Sequence, residues 1–249
     1  MFPEIPAKDI PTINTDQMIE VDRTMEHSYR IEPIQMMENA GSTLAHLARM
    51  RFCDGNPKGS RILALSGSGG NGGDALVAAR RLSNWGSDVT VAIAQVPEKM
   101  SSLAGHQLDI LQRMDIKGSR EVANIDHLKN QKFDVILDGL IGFSLKGAPY
   151  GMVGDLIIYA NDSGIPILSV DAPSGVDTTT GTIFDPAIKA AATITLALPK
   201  DGLFAEGVPA QTGELYLADI SVPPALYRAS FPPIDVGSLF AQNDIIRIV

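Results

Sequence analysis

From residue 61 onward, short apolar runs alternate with amphipathic stretches, and no other feature constrains the fold of this chain as tightly. "RILALS" (61–66), "DVTVAIA" (88–94), "FDVILDGLIG" (133–142) and "IPILSVDAPSG" (165–175) each open on a run too short for a helix and read as strands with their loops. Between them, 72–86, 100–114 and 150–162 read as helices. "ATITLALP" (192–199) and "GELYLADI" (213–220) predict two later strands. Strands alternating with helices predict an α/β fold with a mostly parallel sheet covered on both faces. Right-handed crossovers then set the C-terminal ends of the strands along one edge, where such sheets bind ligands.

The N-terminal part reads differently. Residues 1–13 carry three prolines and predict an extended arm. Asn14 or Thr15 offers an N-cap to a helix, and Pro33 stands at the first turn of a second helix over "PIQMMENAGSTLAHLARMRF". Met18, Met25, Met36 and Met37 are read as core filler, and His27, His46, His106 and His127 as scattered structural histidines. The tail "PPIDVGSLFAQNDIIRIV" could pack on the surface or on another subunit.

Totals bound the rest. A chain of 249 residues with 45% hydrophobic residues can bury one good core, and no repeat or linker divides it, so residues 1–249 are expected to form a single domain. A net charge of -9 argues against nucleic acid or an anionic membrane as partner. The lone Cys53 can form no internal disulfide. There is no signal peptide and no apolar run near the ~20 residues a membrane span needs, which predicts a cytoplasmic protein.

The unusual residues collect in three loops that would share the ligand-binding edge. The first, "GSGGNGGD" (67–74), satisfies G-x-G-x-x-G between a strand and a helix. The ordinary dinucleotide fold also places an acid at the end of the second strand, and here Asp88 lies at its start. An NAD-dependent oxidoreductase is therefore a weak alternative. The lysine and hydroxyl of a phosphate loop are also missing. What remains is backbone that can approach an anion at a helix start, with Asn71 able to face a cation. Asp74 either caps the helix or touches the ligand. The second loop, "DGLIGFSLKG" (138–147), puts Asp138 at a strand end with Lys146 following. The third, "SVDAPSGVD" (169–177), does the same with Asp171, followed by Ser174 and Asp177. Either aspartate alone could be a turn residue. Ser174 lies in no G-x-S-x-G elbow, so a serine hydrolase is set aside.

Together "MMENAG", "GSGGNGGDALVAARRL", "DGLIGFSLKG", "SVDAPSGVD" and "LALPKDG" resemble the N-terminal-type domain of YjeF proteins, the NAD(P)H-hydrate epimerases, over about residues 15–220. The resemblance implies a Rossmann-like three-layer α/β/α fold, a homodimer, and epimerisation of hydrated NADH or NADPH, with a separate dehydratase as pathway partner. It implies a potassium ion held by Asn71, Asp138 and Ser174. It places Gly70, Asn71, Gly72, Gly73 and Asp74 against substrate, together with Gly142, Phe143, Ser144, Leu145, Lys146, Gly147 and Ala148. Asp171 binds substrate and is the candidate acid/base. Two departures stand out: Gly70 occupies the position of a family asparagine, and Ala75 that of a glycine. A non-catalytic binding module on the same fold is the other reading.

Overall fold

The computed structural model describes residues 2–143, 145–229 and 232–249. Its helices and strands run in chain order as β1 (Glu4–Ile5), α1 (Thr15–His27), α2 (Pro33–Phe52), β2 (Arg61–Ser66), α3 (Gly70–Asn84), β3 (Asp88–Ile93) and α4 (Ser102–Arg113). There follow α5 (Ile125–Lys129), β4 (Val135–Gly139), α6 (Gly151–Asp162), β5 (Ile167–Val170) and β6 (Ala192–Leu196). The chain ends with α7 (Pro209–Thr212), β7 (Glu214–Ala218), α8 (Pro224–Ala229) and β8 (Ile245–Ile248).

The strands form one sheet in the order β1-β8-β7-β6-β5-β4-β2-β3. Every neighbouring pair is parallel except β7 with β8. The two-residue period of a strand sorts the core into two layers. Ile62, Ala64, Val135 and Leu137 point to the face covered by α2, α3 and α4. Leu63, Leu65 and Ile136 point to the face covered by α5 and α6. This is the three-layer α/β/α arrangement that the alternation predicts. Among the described residues no helix is long and apolar enough to cross a membrane.

The two ends of the chain depart from expectation. The arm carries a short strand, β1, and a 3-10 turn at Ala7–Asp9. The tail returns to the same sheet: β8 inserts between β7 and β1, and Arg247 reaches Glu4 at 2.8 Å. Both ends thus extend the sheet within one chain. α1 and α2 follow the predicted caps. The Asn14 carboxamide accepts from Gln17 N while Gln17 accepts from Asn14 N, and Pro33 opens α2. α1 lays Met18, Val21 and Met25 onto a separate apolar cluster with Ala197, Leu198, Ile220 and Tyr227.

Candidate active site

β2, β4 and β5 are sheet neighbours, so the three loops singled out in the sequence do converge. From β2 the chain goes out to β3 on one side and returns to β4 on the other. The crevice of an open α/β sheet lies at such a reversal. The loops touch closely enough to dictate several glycines. A methyl group at Gly67 would overlap the Leu140 carbonyl, and one at Gly142 would overlap the Asn71 carboxamide. By contrast, a methyl group at Gly69 or Gly70 would meet nothing within 4 Å among the described residues. The glycine run therefore has two parts, one fitted to protein and one open. Asn71 Nδ2 donates to Val170 O at 2.7 Å and ties the first loop to β5.

Asp138 binds the second loop to the third. It sits in register with Ser169 on β5, and Ser169 Oγ donates to its Oδ2 at 2.8 Å. Ser174 N donates to the same oxygen at 2.9 Å, Ser174 Oγ to Oδ1 at 2.6 Å, and Leu140 N to Oδ1 at 3.2 Å. Full burial pushes this carboxyl above the ordinary range, against the opposing pull of those hydrogen bonds. Ser174 Oγ in turn accepts from Ile141 N at 2.9 Å.

Asp171 follows β5 immediately, at a left-handed φ of 65°. Asp tolerates that conformation better than a branched residue, and such kinks concentrate at functional sites. Its side chain is buried and its Oδ1 is ion-paired with Lys200 Nζ. Lys200 also donates to Leu196 O at 3.0 Å. Asp171 Oδ2 is buried and has no hydrogen-bond partner among the described residues. A buried carboxylate oxygen left unpaired is costly and invites a functional explanation.

Asp171 lines a cavity of about 310 Å³ over this edge. Asn71, Asp74, Phe143, Asp171 and Lys200 line it from the strand side. Met18 and Asp22 of α1 line it too, as do Met36 and Met37 of α2. The three methionines are thus buried, as expected of core filler, and also form cavity wall. His27 stands at the rim, its Nδ1 3.0 Å from Arg23 O. Asp74 is the fifth residue of α3, one turn past its Gly69 N-cap, and it lines the cavity. Burial holds its carboxyl well above the ordinary value; Asp171 and Asp22 add to this, and Lys200 opposes it. Burial likewise pushes Asp22 up to about 6, with Lys200 pulling down and Asp171 pushing up.

The other expected contacts fall as follows. Gly70 lines the cavity, while Gly72 and Gly73 are buried behind it. Of the 142–148 loop, Phe143 reaches the cavity. Gly142 abuts Asn71, whereas Leu145, Lys146, Gly147 and Ala148 are not among the residues that line the cavity. Ser144 lies outside the described residues. Asp138 and Ser174 are hydrogen-bonded to each other, while Asn71 abuts Gly142 and donates to Val170 O. Sequence reading missed Lys200 and Asp22. Both carried a signal: Lys200 interrupts the apolar "LALPKDG", and Asp22 sits on the stripe formed by Met18, Val21 and Met25.

A mostly parallel sheet with helices on both faces and a cavity at its strand edge defines a three-layer α/β protein. Residues 33–202 match the family model described as YjeF-related protein N-terminus, and the chain belongs to that family. A Dehalogenimonas lykanthroporepellens protein named NAD(P)H-hydrate epimerase is 38% identical over 91% of this chain and 88% of its own length. An Entamoeba histolytica protein of the same name is 32% identical over 77% of this chain and 82% of its own. The bifunctional NAD(P)H-hydrate repair enzyme Nnr of Moorella thermoacetica is 36% identical over 86% of this chain, which spans only 41% of that longer relative. A yeast protein of known crystal structure shares the fold, with a TM-score of 0.77 at 23% identity, over 96% of this chain and 100% of its own.

Proposed function

We propose that this chain epimerises hydrated NADH and NADPH, interconverting the R and S forms at the hydrated ring carbon. The observation that carries the reading is Asp171, which lines a cavity of about 310 Å³ with one oxygen held by Lys200 and the other without a partner among the described residues. The names of the relatives supply the substrate class.

The chemistry suits the site. The hydrated carbon bears a hydroxyl and is bonded to the ring nitrogen, so its C–O bond can break with the nitrogen lone pair stabilising the cation left behind. No carbanion is needed. Asp171, ion-paired with Lys200 through Oδ1, can take a proton from water adding to the ring. The apolar walls from Met36, Met37 and Phe143 limit bulk water and strengthen every charge interaction inside. The cavity holds a ring rather than a whole dinucleotide. The pyrophosphate would extend past Gly69 and Gly70, where the free N–H groups of the first turn of α3 favour an anion.

Potassium belongs to the same reading. Asn71 Oδ1 and Ser174 Oγ are hard oxygen donors, and Asn71 Oδ1 accepts no hydrogen bond among the described residues. Oxygen donors of this kind would suit a hard monovalent cation. Asp138 would join only by sharing a carboxylate already held by four donors. A bound cation would add positive charge and order between the three loops. The pathway partner would be a dehydratase acting on the S hydrate, and the functional unit a homodimer.

The test is to follow the isomer ratio of R-enriched hydrated NADPH in the presence of the protein. Wild type is expected to restore the equilibrium ratio, and Asp171→Asn to leave it where it began while keeping the wild-type fold by circular dichroism. Binding without turnover by the wild type would point to the non-catalytic module instead.

A further inference from the structure

α1 lies outside the segment matched by the family model, yet it contributes a wall of the cavity. Its position is fixed against the Lys200 segment from the first residue. Ile13 forms a parallel bridge with Lys200, with Ile13 N donating to Pro199 O at 3.0 Å and Asp201 N to Ile13 O at 3.1 Å. Thr15 Oγ1 lies 2.5 Å from Thr179 Oγ1. Two turns on, Asp22 faces the cavity. It makes no hydrogen bond or ion pair of its own among the described residues, and its neighbour Arg23 is occupied by Glu20 at 2.6 Å. A half-buried carboxyl with no such contact, lining the same cavity as Asp171 and close enough to feel its charge, is placed to act on whatever lies between them. No group of three His, Cys, Asp or Glu side chains among the described residues is arranged to hold a metal ion, so these carboxylates are not a metal cluster.

We propose that Asp22 is the second proton-transfer group of the site, acting as the acid on the substrate hydroxyl while Asp171 serves as the base for the incoming water. This rests on the epimerase reading and adds a residue to it. The Asp22 carboxylic acid gives its proton to the hydroxyl oxygen. The C–O bond breaks, its electron pair leaving with water, and the nitrogen lone pair forms the C=N bond of the cation. Water adds to the other face: an oxygen lone pair makes the new C–O bond, the C=N pair returns to nitrogen, and the surplus proton passes to Asp171. One water leaves and one enters. The proton gained by Asp171 and that lost by Asp22 re-equilibrate through solvent; before they do, the swapped state is the one that runs the reverse reaction.

The surroundings suit an acid. On its own helix Asp22 shares the cavity with Arg23, Glu26 and His27. Across the cavity stand Asp74, Asp171 and Lys200, and Tyr227 of α8 senses its charge. Partial burial and the Asp171 charge hold it protonated further toward neutrality than a surface aspartate, against Lys200.

The test compares wild type, Asp22→Asn, Asp22→Glu and Asp74→Asn in the isomer-ratio assay from pH 5 to 8. We expect Asp22→Asn to lose about a hundred-fold or more in kcat with little change in KM. The fall in wild-type kcat above a midpoint near 6 should disappear in that variant, and Asp22→Glu should recover part of the rate. Thermal unfolding checks that each variant is folded. A folded Asp22→Asn with wild-type kcat and pH profile would overturn the role of Asp22, as would loss of the pH limb in Asp74→Asn alone. A wild type that leaves the isomer ratio unchanged would overturn the epimerase reading itself, and this proposal with it.

Discussion

Glycine and aspartate each carry two meanings in the strand-edge loops, and only contacts separate them. Gly67 is a glycine because the Leu140 carbonyl occupies the space of its side chain. Gly70 is open, and it stands where the family resemblance expects an asparagine. Gly67→Ala should therefore cost about 1–3 kcal/mol through overpacking, measured by chemical denaturation. Gly70→Asn should leave stability within about 0.5 kcal/mol and retain or raise epimerase activity. A strongly destabilised Gly70→Asn would show that the position is not open. The aspartates divide in the same way. Asp138 is spent on four protein donors and joins loops, whereas one Asp171 oxygen has no partner among the described residues. Both read identically in sequence, as an acid at a strand end.

At the scale of elements, most of the fold was legible and part of the site was not. The strands from β2 to β7 and helices α3, α4 and α6 follow directly from local periodicity, because each buries a face set by its own spacing. α3 starts at Gly70, two residues before the predicted 72, because extended Gly69 serves as its N-cap. β1 and β8 escaped notice: each is short, and their pairing joins the two ends of the chain, a contact no local pattern encodes. Asp22 and Lys200 were missed for the same reason. The bridge between Ile13 and Lys200 brings α1 over the sheet edge, and only then does an acid on an apolar stripe acquire a partner. α1 depends on its capping box for that placement. Asn14→Ala should cost about 1 kcal/mol of stability, and should lower kcat by loosening the wall that carries Asp22. Equal stability and kcat in this variant would show that the cap does not hold the helix in place.

For the molecule as a whole, the site works against stability. Asp22 and Asp74 have carboxyls raised above their unfolded values, so the folded chain keeps protons that the unfolded chain releases. For Asp22 the window runs from the ordinary carboxylate value near 4 to about 6. Its contribution is fully present below that window and is lost as pH rises through it. Glu214 behaves oppositely: Arg51 holds it down at about 2, so its contribution is present above the ordinary value and is lost as pH falls toward 2. Asp22→Asn should therefore have a higher Tm than wild type at pH 7.5, with the two converging near pH 4, by scanning calorimetry. A variant less stable than wild type at pH 7.5 would mean that Asp22 holds the fold together. Such a trade of stability for function is common at active sites.

The central claim is that the cavity beside Asp171 interconverts the two hydrates. Its most direct measurement is the R to S ratio of hydrated NADPH, followed by chromatography after one isomer has been enriched. The wild-type protein should return the mixture to equilibrium far faster than buffer alone, and Asp171→Asn should match buffer. A wild-type protein that binds the hydrate yet leaves the ratio relaxing at the buffer rate would contradict the account.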